Sequence, residues 1–175
     1  MVDLDDRETV LRLQGGDVVI RSVDSLPDQL QQSFHESYKI GFPEEYKKVK
    51  RVVVCGMGGS RFPSLILQDL FKEQLKIPYI INDNYTLPGF VSKDTLVVLS
   101  SYSGTTEEVL ACQETALSKG AKLTGVTSGG EVAAFLKKHG APAYVFNPVH
   151  NPSGQPRIGF GYAVGGHLGI LMKLG

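Results

Sequence analysis

Cysteine is scarce in this chain of 175 residues. The two thiols, Cys55 and Cys112, are too few for a disulfide framework and read as buried, reduced side chains of a cytosolic protein. Net charge is absent as well, because 18 Lys and Arg offset 18 Asp and Glu. That balance excludes a uniformly basic nucleic-acid surface. No apolar run approaches the roughly 18 residues of a membrane span. The N-terminal stretch Met1-Val2-Asp3-Leu4-Asp5-Asp6 is acidic where a secretory signal is basic and then apolar. The chain reads as soluble and cytoplasmic, with neither a membrane nor a nucleic acid as partner. It has no internal repeat, no low-complexity segment and no nucleophile elbow. No three of its His, Cys, Asp and Glu residues show metal-ligand spacing. What it does have is an ordinary core supply, with 42% apolar and 21% charged residues, which excludes extended disorder. Glycine is plentiful, at 20 residues, but clustered, so a collagen period is excluded. The length predicts one domain with a small extension.

Residues 1–50 carry 7 Lys/Arg against 10 Asp/Glu, and residues 51–175 carry 11 against 8. The larger part is mildly positive, which suits a small anionic ligand. In the first part, Leu4, Val10, Leu11 and Leu13 predict a short amphipathic helix ended by Gly15-Gly16. Leu26-Pro27 predicts a second helix running to about Tyr38, with proline well placed in its first turn and Gly41-Phe42-Pro43 beyond it. Residues 1–50 thus read as a helical extension and 51–175 as the main domain. There a β–α alternation begins, with an all-apolar strand at Val52–Cys55, as a strand covered on both faces should be. A helix is expected from Ser60 to about Gln74, with Leu65, Ile66, Leu70 and Phe71 on one side. Further strands are expected at 79–81, 96–99, 123–126 and 144–146. Helices are expected at 105–119, closed by Gly120, at 131–138 before Gly140, and at 161–174 after a Pro/Gly-rich loop over 147–160. Short buried strands alternating with helices predict an α/β fold: a three-layer αβα sandwich on a five-stranded parallel sheet. Such sheets bind ligands beyond the carboxyl ends of their strands.

Two loops at that edge carry the chemistry. Gly56-Met57-Gly58-Gly59-Ser60-Arg61 follows the first strand and opens a helix. Glycines there let the backbone approach a ligand, and the first helical amides face an anion. A dinucleotide fingerprint is not completed, because Arg61 stands where its third glycine belongs, although Asp83 could imitate the ribose-binding acid. The second loop, residues 100–108, follows the third strand. Thr105 and Glu108 have capping-box spacing. Ser101, Ser103 and Thr106 around Gly104 add three hydroxyls to the free amides of a helix start, which makes a phosphate cradle.

Ser101-x-Ser103-Gly104-x-Thr106-Glu107-Glu108 resembles the signature of sugar isomerase (SIS) domains, a flavodoxin-like fold. Taken with Gly56-Met57-Gly58-Gly59-Ser60 and Gln155-Pro156-Arg157, it resembles the N-terminal SIS domain of bifunctional phosphoglucose/phosphomannose isomerases, over residues from about 20 to 175. The resemblance implies that Gly58, Gly59, Ser60, Ser101, Ser103 and Thr106 surround the sugar phosphate. It implies that Arg157 faces C1–C2 of the sugar and stabilises the oxyanion of a cis-enediolate. It implies aldose–ketose isomerisation of glucose 6-phosphate or mannose 6-phosphate to fructose 6-phosphate, with no metal and no redox cofactor. Two positions depart from that pattern: Arg61 in place of a small glycine, and Thr105 in place of Asn.

The family's enzymes hold two SIS domains, and Gly169–Gly175 resembles the helix that leads into the second. Their general-base Glu and ring-opening His belong to that second domain and have no counterpart here. Among local residues, His150 is the best candidate base. His167 reads as packing, His35 and His139 as surface residues, and Glu107, Glu108 and Glu131 as helix-start acids. Two functions stay open: half of an isomerase, completed by a homodimer or a second SIS domain, or a binding module that senses a sugar phosphate without turning it over.

Overall fold

The computed structural model describes residues 3–175; Met1 and Val2, the head of the acidic stretch, lie outside them. The elements run α1 (Arg7–Arg12), α2 (Gly16–Asp24), α3 (Leu26–Tyr38), β1 (Arg51–Cys55), α4 (Phe62–Leu70), β2 (Tyr79–Asn82), β3 (Thr95–Ser100), α5 (Glu107–Ser118), β4 (Lys122–Thr127), α6 (Gly130–Lys138), β5 (Tyr144–Val145) and α7 (Phe160–Leu174). All strand pairs are parallel, in the order β2-β1-β3-β4-β5. The chain reverses its winding between β1 and β3, so the loops that follow these two strands flank the crevice where such sheets take ligands. The expected three-layer α/β sandwich is what forms.

The central strands are apolar without alternation because both of their faces are covered. Val53, Cys55, Val97 and Leu99 pack against Val109, Cys112 and Ala116 of α5 and Val132, Phe135 and Leu136 of α6. Val52, Val54, Leu96 and Val98 face the other way, towards Tyr46 and the Leu171–Leu174 end of α7. Each buried Val, Leu or Phe side chain among them contributes about 1.5–3 kcal/mol. Cys55 and Cys112 are buried and free, and the Asn82 side-chain amide donates to both sulfurs, at 3.9 and 3.4 Å.

Helix α7 lies between the sheet and α3. Its Gly166 faces Tyr144 and Val126, while Gly161, Gly165 and Gly169 face α3. An added Cβ at Gly165 would stand 2.1 Å from Ser33 Oγ, and one at Gly169 would stand 2.0 Å from Ser37 Oγ. The two helices meet backbone to backbone, and Ser33 and Ser37 donate to the carbonyls of Gly161 and Gly165 at 3.0 and 3.2 Å.

Three local features differ from expectation. Gly15-Gly16 follows the end of the first helix as expected, α1 stopping at Arg12, but Gly15 adopts φ 78° and Gly16 starts a further helix, α2, that was not expected. Its run Val18-Val19-Ile20 is β-branched and gave no helical signal, so tertiary packing overrides propensity there. Helix α4 is shorter than expected, running from Phe62 to Leu70 after a 3-10 turn at Gly58–Ser60. It buries Pro63, Ser64 and Leu67, and leaves Leu65, Ile66 and Leu70 at 38%, 43% and 65% exposure. The larger apolar stripe faces outward because the inward position opposite α7 takes a small serine. Finally, no capping box forms on α5. Its N-cap is Thr106, with no side-chain cap bond, and the Thr105 hydroxyl is 2.9 Å from Ser103 Oγ instead.

Candidate functional site

Three loops converge at the carboxyl edge of the sheet around a cleft of about 590 Å³. From the first come Gly59 and Ser60, from the second Tyr102, Ser103 and Thr106, and from the loop before α7 Gln155 and Arg157. Phe62 and Phe160 supply apolar wall.

The hydroxyls of the second loop bond within it, and its backbone is bonded to Val126, Ser128 and Val132. Ser101 is fully buried; its Oγ accepts from the Gly104 N–H at 3.0 Å and is 2.7 Å from Thr106 Oγ1. The Ser103 hydroxyl accepts from the Thr105 N–H at 3.3 Å. Gly104 sits at φ 73°, and a Cβ there would stand 1.9 Å from the Gly129 carbonyl oxygen. Only glycine lets the loop turn this tightly against the residues after β4. Among the described residues, the amides of Ser103, Thr106, Glu107 and Glu108 meet no acceptor. Four free donors at the N-terminus of a twelve-residue helix, beside two hydroxyls, form a cradle for an anion.

The first loop is tied to the second. The Tyr102 N–H donates to Ser60 Oγ at 3.3 Å, and Ser100 Oγ donates to the Ser60 carbonyl at 3.0 Å. Ser100 has one proton and gives it to Ser60. His167 Nε2, 3.0 Å from Ser100 Oγ, therefore carries the ring hydrogen, and Nδ1 accepts from Ser64 Oγ at 3.4 Å. Burial pushes His167 down to about 4. This neutral histidine braces the first loop from behind.

Arg157 is exposed, with its stem over Gly59, and among the described residues no carboxylate pairs with it. It is the cation of the cleft. Its loop is held by Asn151, whose side-chain amide donates to Tyr102 Oη and to the Gln155 carbonyl, both at 2.9 Å. Burial raises the Tyr102 phenol above its usual range, so it stays neutral.

Gly59, Ser60, Ser103, Thr106 and Arg157 thus meet on one cleft. Ser101 lies behind it as a brace, and Gly58 does not line it. Arg61 lies outside, ion-paired with Asp83 at the end of β2. That pair leaves neither residue on the cleft. His150 does not line it either; only its backbone is engaged, donating to Tyr162 Oη at 2.8 Å. Glu107 accepts from Tyr85 Oη at 3.3 Å, Glu131, His35 and His139 are exposed, and no carboxylate or imidazole faces the cleft. No group of three or more His, Cys, Asp or Glu among the described residues is placed to hold a metal ion. No helix among them is long and apolar enough to cross a membrane. Tyr102 and Asn151 escaped the sequence reading: the first stands at the unspecified position between Ser101 and Ser103, and the second sits in the loop beside His150. An aromatic within a hydroxyl-rich loop, and an Asn-Pro in a loop feeding the same edge, were the available signals.

The model of the SIS domain matches residues 45–139. A bifunctional phosphoglucose/phosphomannose isomerase of Caldicellulosiruptor bescii is 37% identical over 158 residues, covering 90% of this chain and 45% of the relative. The enzyme of the same name from Aquifex aeolicus is 37% identical over 124 residues, 70% of this chain and 37% of that one. The chain spans less than half the length of the curated relatives it matches. Among solved structures, the NanR protein of Vibrio vulnificus, complexed with ManNAc-6P, superposes with a TM-score of 0.63 at 17% identity, over 96% of this chain and 65% of that one. At that identity the likeness is one of fold.

Proposed function

The chain belongs to the SIS domain family, and from that premise we propose that its cleft binds a hexose 6-phosphate as half of an aldose–ketose isomerase acting on glucose 6-phosphate or mannose 6-phosphate. The observation that carries this reading is the pairing of a four-amide, two-hydroxyl cradle at α5 with an uncompensated Arg157 on the same cleft. The phosphate sits in the cradle, where hydrogen bonds to a charged group are strong. The sugar then extends towards Arg157. Isomerisation takes the proton from C2 and returns it to C1, and negative charge builds on the two oxygens of the cis-enediolate between these steps. Arg157 meets that charge. The proton-carrying base comes from outside the cleft residues, since none of them is a carboxylate or an imidazole. The apolar face of α4, with Phe62 at 52% and Leu70 at 65% exposure, supports pairing with a second copy or a second SIS domain.

Calorimetry with fructose 6-phosphate tests the cradle. Removing the Ser103 and Thr106 hydroxyls together should cost about 1.5–3 kcal/mol of binding for each lost charged hydrogen bond. Unchanged affinity in the double variant Ser103→Ala, Thr106→Ala overturns the assignment. A second reading, a sugar-phosphate sensor without turnover, is favoured by the missing base. A coupled assay separates the two. The chain alone should turn over roughly 100- to 10,000-fold more slowly than when mixed with a chain carrying a second SIS domain; no gain on mixing leaves the sensor.

A further inference from the structure

A buried polar ladder links the N-terminal helices to the loop of Arg157, and its anchors, Gln29 and Ser22, lie outside the cleft just described. Gln29 of α3 is fully buried. Its side-chain amide donates to the carbonyls of Ser22 and His150, at 3.0 and 2.9 Å, and its carbonyl oxygen accepts from the Gly161 N–H at 3.2 Å. One side chain therefore holds both ends of the segment 150–161, at the last residue before Asn151 and at the first turn of α7. Ser22 of α2, also fully buried, accepts from the Ser153 N–H at 3.0 Å. Ser153 Oγ in turn donates to Asn151 Oδ1 at 2.7 Å, and Asn151 grips Tyr102 Oη and the Gln155 carbonyl, two residues before Arg157. At the other end, Gly159 packs so closely on Tyr102 that an added Cβ would meet the ring at 2.3 Å.

We infer that Gln29 and Ser22 are positioning residues for Arg157: the N-terminal helices set where the cation stands in the cleft. The chemistry of the ladder argues for a directional role. Fully buried amides and hydroxyls cost stability unless bonded, and an apolar contact would fill the same space. Two directed bonds from one side chain to the two ends of the segment, with a third to Ser22 that fixes the side chain itself, set the loop's position more specifically than apolar packing does. The cradle at α5 has no link in this ladder except through Tyr102, so the inference separates two parts of the site. The phosphate end is held by its own hydroxyls and by the neighbouring loops of the sheet edge, and the Arg157 end is held from α2 and α3.

This rests on the proposed role of Arg157, and the test keeps the two apart. The probe is 6-phosphogluconate, whose C1 carboxylate places charge where the enediolate oxygens would form; inorganic phosphate is the control for the cradle. Arg157→Ala should weaken 6-phosphogluconate about tenfold or more and leave phosphate within about twofold. If it does not, the reading of Arg157 itself fails. Gln29→Leu should reproduce that split, and the double variant Gln29→Leu, Arg157→Ala should bind no more weakly than Arg157→Ala alone, because the first residue acts through the second. Where Gln29→Leu does not fold, Ser22→Ala carries the same expectation with a smaller change. With Arg157→Ala behaving as stated, a folded Gln29→Leu or Ser22→Ala variant with unchanged 6-phosphogluconate affinity overturns the inference. Equal weakening of both probes, or losses that add in the double variant, does so too.

Discussion

The hydroxyls of the loop after β3 bond within residues 101–106 and its backbone bonds to Ser60, Val126, Ser128 and Val132 at the same edge of the sheet, whereas the loop carrying Arg157 is fastened to residues 121, 131 and 132 positions earlier in the chain. Both face one cleft. The first is organised by hydroxyls answering neighbouring amides and by bonds to the adjoining loops of the same sheet edge. The second has no helix or strand over 147–159 and adds to its own turns and side-chain bonds partners on α2 and α3. Anchoring an anion and placing a cation are therefore assigned to segments with different dependence on the rest of the fold.

The sharpest way to break the loop after β3 is Gly104→Ala. The new Cβ would stand 1.9 Å from the Gly129 carbonyl oxygen, on a residue whose φ is 73°. Clash and left-handed strain together should cost about 3 kcal/mol or more, read as a fall in the urea unfolding midpoint, and phosphate affinity should go with it. A loss below about 1 kcal/mol would mean that the loop is not as tightly locked as its contacts state. Next in size is the brace behind the first loop. His167 is held down to about 4 by burial, against about 6.5 in an unfolded chain. Above pH 6.5 both states are neutral at this ring and stability does not depend on it. As pH falls from 6.5 towards 4, the unfolded chain takes the proton and the folded one refuses it, so stability declines, by about 3 kcal/mol across the window. His167→Gln should flatten that acid limb in unfolding titrations. An unaltered limb would show that other groups cause it.

What was legible in the sequence follows the same division. Val52–Cys55 announces a doubly covered strand, and Ser101-x-Ser103-Gly104-x-Thr106 announces an anion loop, because both are patterns of adjacent residues. Gln29 gives no such signal. In sequence it is one polar residue among Asp28, Gln31 and Gln32 on a helix, and only the close approach allowed by Gly161 and Gly165 turns it inward. Helix α4 misled for a related reason. Leu65, Ile66 and Leu70 look like a core face by spacing, but the face that packs is the one with Ser64, whose partner His167 is 103 positions away. Patterning finds the largest apolar stripe; it does not know which side a histidine occupies.

The smallest expected effect concerns the residue of the first loop that departs from the resembled pattern. Arg61 follows Ser60 directly, yet its side chain turns away from the cleft to the Asp83 carboxylate at the end of β2. The two side chains are 38% and 46% exposed, so solvent screens the pair and its worth is below about 1 kcal/mol. Arg61→Ala should lower the unfolding midpoint only slightly, by less in high salt than in low salt. It should leave inorganic phosphate and fructose 6-phosphate affinity within about twofold, in contrast to Arg157→Ala, although both remove one arginine from loops at the same edge. The two substitutions change net charge equally, so any long-range electrostatic attraction for the ligand falls equally in both. The difference between them isolates what position contributes beyond charge. If Arg61→Ala weakened phosphate binding as much as the loss of the Thr106 hydroxyl does, Arg61 would have to swing from Asp83 onto the ligand. Asp83→Ala would then strengthen binding by freeing it.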